Sequence, residues 1–156
     1  WQTMNNVFNT PFEISLRALL MLETAGEQWE TADMLAAADF ITVYGRDFGI
    51  SDVNLHGENS FKFSEITLRR ELMKKAVRLL VKNGLINVSP TDNGFSYSIT
   101  PKGIYYCSRF TNDYADTYRR LAKQAGAYIT GKSEREVFAL INRHALSSLQ
   151  RSEIDV

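Results

Sequence analysis

The sequence predicts an α+β, mostly helical fold, on three observations. Capped segments with apolar residues at 3.6-residue spacing recur along the chain, one of them stops sharply at Asn83-Gly84, and two short alternating stretches flank Asp92-Asn93-Gly94 directly after it. The first helix spans Thr10 to Glu23. Thr10 accepts from free backbone N–H groups, Pro11 suits the first helical position and Glu13 sits where a capping-box acid belongs. Phe12, Leu16, Leu19, Leu20 and Glu23 trace its stripe, apolar until the last member, and Ala25-Gly26-Glu27 ends it. A second helix begins after Thr31, carries Met34, Leu35, Ala38, Ile41 and Val43, and stops around Gly45. Gly49 to Ser60 is polar and turn-rich, a loop of a dozen residues and longer than a connection needs.

The most legible segment is Ser64 to Gly84. Ser64 is an N-cap, Leu68, Leu72, Ala76, Leu79 and Leu80 form the apolar stripe, and Asn83-Gly84 is a C-terminal stop. Leu85–Ser89 and Phe95–Ile99 alternate on either side of the turn and read as a β-hairpin. Thr100-Pro101 caps a further helix with the ladder Tyr106, Phe110, Tyr114, Tyr118 and Leu121, ending near Gly126; at this spacing the aromatics read as core ahead of base stacking. Ser133 with Glu136 opens a last helix through Val137, Leu140, Ile141 and Leu149. This order is that of a winged helix-turn-helix with a short β-hairpin wing and additional C-terminal helices. Residues 1–125 form the winged-helix domain with its N-terminal helices and the 49–60 loop, and residues 126–156 a C-terminal helical extension packing on the same domain.

Charge and composition bound the function. The 156 residues carry 18 bases and 18 acids, but residues 1–60 hold nine acids against two bases, net −7, and residues 61–156 nine acids against sixteen bases, net +7. Neutrality is thus a sum of opposed halves, which suggests two partner surfaces or two halves that attract each other. No apolar run approaches the roughly 20 residues of a membrane span, and the chain reads as cytoplasmic. The single Cys107 excludes an internal disulfide, and with His56 and His144 it does not supply a four-ligand zinc site.

The outer face of the long helix carries the strongest site signal. Arg69, Arg70, Lys74, Lys75, Arg78 and Lys82 face one acid, Glu71, and Arg70, Lys74, Arg78 and Lys82 recur every four residues. Such a stripe contacts phosphates, meets an acidic protein surface, or is solvated; all three stay open. Base reading is disfavoured, since the helix starts with Ser64-Glu65-Ile66-Thr67-Leu68 and the wing carries an acid and no base. Reversal of Arg70, Lys74 and Arg78 to Glu is expected to leave the fold intact. No nucleophile, paired carboxylate, phosphate loop or metal spacing surrounds His56 or His144, so a non-enzyme without catalytic residues, cofactor or metal is expected.

FNTPFEISLRALLMLE, ADFITVYGRDFGISDVNLHGEN, ELMKKAVRLLVKNGLINV and GFSYSITPKG resemble the small middle component of bacterial three-component ABC systems, the group that includes the Lamassu anti-phage defence systems. The resemblance covers residues 8–125. Its most specific pieces are Phe12-Glu13 with Leu16-Arg17, Asp39 followed by Tyr44 and Asp47-Phe48-Gly49, and Asn54-Leu55-His56-Gly57. It implies an accessory subunit that sits with an SMC-like ABC ATPase and an effector, often a nuclease, in a complex sensing foreign or abnormal DNA ends; the basic helix would then face either double-stranded DNA, held without sequence preference, or an acidic patch on the ATPase. On that basis Asn54, Leu55, His56 and Gly57 are candidate partner-binding residues. The alternative is a winged-helix DNA-binding transcriptional regulator, and a hydrolase built on His56 is the third reading.

Overall fold

The computed structural model describes residues 10–57 and 62–154. Its elements are α1 (Pro11–Ala25), β1 (Glu30–Thr31), α2 (Ala32–Val43), α3 (Ile66–Lys82), β2 (Ile86–Thr91), β3 (Gly94–Ile99), α4 (Pro101–Ser108), α5 (Asp113–Ile129) and α6 (Glu134–Ile154), with single 3-10 turns at Gly45–Phe48 and Lys62–Glu65. The α+β, mostly helical expectation holds: six α-helices among the described residues surround one small antiparallel sheet of order β1-β3-β2. The two-residue β1, which pairs Glu30 with Tyr97 and Thr31 with Ser96, is absent from the sequence reading. It is too short to show a period.

Caps form where short polar side chains precede the helices. Thr10 accepts from the Glu13 N–H at 3.2 Å, Thr31 from Met34 at 3.1 Å and Thr100 from Gly103 at 3.0 Å. Ser133 and Glu136 exchange the reciprocal bonds of a capping box, at 3.3 and 3.2 Å. Helix α2 is the middle of the molecule. Every residue from Leu35 to Val43 is buried, with α3, α5 and α6 packed around it.

Three boundaries differ from expectation. Helix α3 starts at Ile66, two residues after Ser64, with a 3-10 turn before it and no side-chain cap at Glu65. Its buried stripe is Arg69, Met73, Ala76, Val77 and Leu80, while Leu68 and Leu79 are 58% and 40% exposed. The stripe is rotated because Arg69, which reads as a surface base, takes an interior position. Likewise in α1 the buried set includes Arg17, while Phe12 is exposed. The single helix expected after Pro101 is two: Asn112 accepts from the Ala115 N–H at 2.8 Å and starts α5 afresh, and α5 runs on to Ile129. A division at residue 125/126 would therefore cut a helix. Arg119 spans the α4–α5 break, donating to the carbonyls of Cys107 at 2.5 Å and Phe110 at 2.7 Å and to Glu23 at 2.9 Å. That contact also accounts for the acid that ends the α1 stripe.

Candidate partner and nucleic-acid interface

The interior holds a charged centre that fixes the helices relative to one another. Asp39 on α2 accepts from Arg17 of α1 at 2.9 and 3.1 Å, from Arg69 of α3 at 3.0 Å and from the Tyr118 hydroxyl of α5 at 2.7 Å. Arg17, Asp39 and Arg69 are each at most 2% exposed. Burial by itself pushes the Asp39 carboxyl up, but the two guanidinium charges and the bonds from Arg17 and Tyr118 outweigh it and hold the group well below the usual carboxylate range. The Arg69 guanidinium also lies 5.8 Å from the Phe40 ring and 5.5 Å from the Tyr44 ring. Arg69 therefore leaves the set of exposed bases. Arg17 and Asp39 belong to the segments that carry the family resemblance, yet as single charges on separate helices they do not name each other as partners.

The loop residues Asn54, Leu55, His56 and Gly57 close over this centre. Asn54 is buried and accepts from the Arg46 N–H at 3.0 Å, the Leu55 N–H donates to the Val43 carbonyl at 2.9 Å, and half-buried Leu55 packs against the core. His56 Nε2 contacts the Tyr114 hydroxyl at 2.7 Å, with the rings stacked at 6.1 Å. Only Gly57 of the four is exposed; its φ of 78° makes the left-handed turn. The remainder of the expected loop, residues 58–60, lies outside the described residues. These side chains serve as an internal latch, and the surface they offer a partner is small.

Burial, followed by the charge of Arg17, lowers the His56 imidazolium to about 3. A depressed histidine binds fewer protons folded than unfolded, so its contribution to stability is complete above the ordinary value near 6.5 and falls as pH drops toward 3. His56→Gln is expected to flatten the loss of unfolding free energy between pH 6.5 and 5, a window above the range where Asp39 titrates in the unfolded chain. Urea unfolding at stepped pH reads it; equal slopes for parent and variant would exclude this role.

The basic stripe divides when placed on the structure. Arg70 is held from two sides: it donates to both Asp33 oxygens at 3.0 and 3.1 Å and lies 4.5 Å from the Phe138 ring. Reversal of Arg70 would cost stability, contrary to the expectation for the triple reversal. Lys74 pairs with Glu71 at 3.2 Å in solvent. Lys75, Arg78 and Lys82 are exposed, and no ion pair engages them among the described residues. Lys74, Arg78 and Lys82 line one wall of a groove of about 800 Å³ whose other wall is the hairpin.

No helix among the described residues is long and apolar enough to cross a membrane. A family model described as ABC-three component (ABC-3C) system Middle Component 2 matches residues 7–151, nearly the whole chain and beyond the 8–125 of the sequence resemblance. No curated protein and no solved structure matches.

Proposed function

As the chain belongs to the Middle Component 2 family of ABC-three component systems, we propose that it is the non-catalytic accessory subunit of an SMC-like ABC ATPase in a Lamassu-type anti-phage defence complex. It bridges or steadies the ATPase and a nuclease effector in the cytoplasm, and the catalytic groups reside in those partners. The family match carries the reading, because a middle component of a three-component system works with protein partners. A second observation agrees: Arg78, Lys82 and Lys75 project from α3 without intramolecular ion pairs among the described residues, a face suited to an acidic partner surface or a DNA backbone.

Co-expression with the products of its neighbouring genes tests the proposal, which expects an ABC ATPase and an effector among them. The expected result is one complex through affinity capture and gel filtration; a chain that elutes alone overturns it. Contact with DNA, if made through these bases, is expected to be similar for unrelated duplexes and to weaken steeply with salt.

The competing reading is a winged-helix transcriptional regulator. The sheet order β1-β3-β2 with α3 preceding the hairpin favours a winged helix. Against a sequence-specific role stand the first turn of α3, Ile66-Thr67-Leu68, which lacks base-reading side chains, and the wing tip, whose one charge is Asp92. A large preference for one promoter site would support the regulator instead.

A further inference from the structure

One face of the hairpin stays apolar after it leaves the core. Its cross-strand pairs, from base to tip, are Ile86–Ile99, Val88–Tyr97 and Pro90–Phe95. Ile86 and Tyr97 are buried, whereas Val88 is 45% and Phe95 57% exposed. An antiparallel face open to water ordinarily carries polar residues, so this half-face lacks a cover. Across the groove stand Lys74, Arg78 and Lys82 of α3, one per turn and about 6 Å apart along the axis. One wall is apolar and the other is positive.

We infer that this groove docks an acidic amphipathic segment of a partner subunit, its carboxylates along α3 and an apolar side chain against Val88 and Phe95. The inference rests on the accessory-subunit reading and names the chemistry of the partner. Carboxylates four apart on a helix, or two apart on an extended strand, repeat at about 6 to 7 Å and match the three bases. A DNA backbone fits less well. It has no apolar side chain to cover Val88 and Phe95, both exposed on the hairpin wall. Of the acids in the lining, Asp33 is neutralised by Arg70 and Glu134 accepts from the Thr31 hydroxyl at 2.7 Å, and Lys74 is paired with Glu71, which leaves Arg78 and Lys82 as the groove's available bases.

The test uses the full chain co-expressed with its ABC ATPase and effector. Val88→Ser with Phe95→Ser, and separately Arg78→Glu with Lys82→Glu, are expected to leave the melting temperature unchanged, since all four side chains are exposed. Each pair should weaken capture of the partner about tenfold or more. A photoreactive p-benzoylphenylalanine in place of Phe95 should crosslink to a partner segment of net negative charge.

Parental capture by both variants overturns the groove assignment, as does a crosslink to a basic segment. Loss of binding to an unrelated DNA duplex in Arg78→Glu/Lys82→Glu, with partner capture intact in both variants, assigns the face to DNA and overturns it too. A parent chain that captures neither partner removes the accessory-subunit reading itself, an outcome distinct from a complex that forms but ignores the groove.

Discussion

Asp39→Ala is expected to destabilise the protein by about 3–5 kcal/mol, because it takes the shared counter-charge from two buried guanidinium groups and leaves only Glu65, 3.8 Å from Arg69. Arg17 and Arg69 approach the same carboxylate from opposite helices, at 2.9 to 3.1 Å. With it removed they face one another in a dry interior, and the Tyr118 hydroxyl loses the acceptor it holds at 2.7 Å. Since whole domains are stable by only about 5–15 kcal/mol, much of the variant should be unfolded at room temperature. Asp39→Asn keeps the volume and one oxygen but not the charge, and should be nearly as harmful. Urea unfolding followed by circular dichroism reads both. The pH dependence provides an independent check. The folded-state carboxyl is held below its unfolded value, so its contribution is present above about pH 4 and is lost as pH falls further. That acid-side loss should be missing from Asp39→Ala. A variant within about 1 kcal/mol of the parent would mean that the Arg17–Asp39–Arg69 contacts are not formed.

Gly103→Val is expected to cost about 3 kcal/mol, and Gly103→Ala somewhat less. Gly103 lies in the first turn of α4, buried against the base of the hairpin. A Cβ there would overlap the Leu85 carbonyl oxygen and stand 2.8 Å from Ile99 Cγ1. The Leu85 oxygen is backbone and is engaged, accepting from the Thr100 N–H at 3.1 Å, so it cannot turn aside. Alanine gains roughly 1 kcal/mol of helix propensity over glycine, which offsets part of the clash. Thermal unfolding should place both variants below the parent, Val lowest. A stabilised Gly103→Ala would show that α4 can lift from the hairpin without loss.

Much of this architecture was legible because it is encoded locally. Thr10, Thr31, Thr100 and Ser133 announce helix starts through the same bond, a short side-chain oxygen meeting a free N–H. The hairpin is announced by alternation on each side of Asp92-Asn93. The exposed bases were legible for the same reason: Lys75, Arg78 and Lys82 lie where a lysine or arginine on an amphipathic helix is expected to lie.

What stayed hidden depends on distant partners. Arg69 reads as a surface base, and Arg17 and Asp39 carry no sign of their pairing, because the partners lie 22 and 30 residues away and only packing brings them together. The rotated α3 stripe follows from that same omission. The α4–α5 break was masked by aromatics whose four-residue spacing continues across it, although Asn112 before Asp113 is a cap in plain view. The apolar hairpin face was also in the sequence, as alternate Ile86, Val88, Pro90 and Phe95, Tyr97, Ile99. How far the core covers that face is set by other elements, so its open half could not be read.

Asp39 also imposes an order on the chain's birth. Its last partner, Tyr118, lies 79 residues downstream, which at synthesis rates of about 5–20 residues per second takes several seconds to follow it. Through that interval α2, apolar on nearly every side, can meet α1 and its guanidinium, and after 30 residues that of Arg69, while the Tyr118 hydroxyl is still to be made. A nascent chain is therefore a sticky helix pair with a wait built into it. Helix α5 ends that exposure, and a ribosome stalled before it would be expected to present a chaperone substrate.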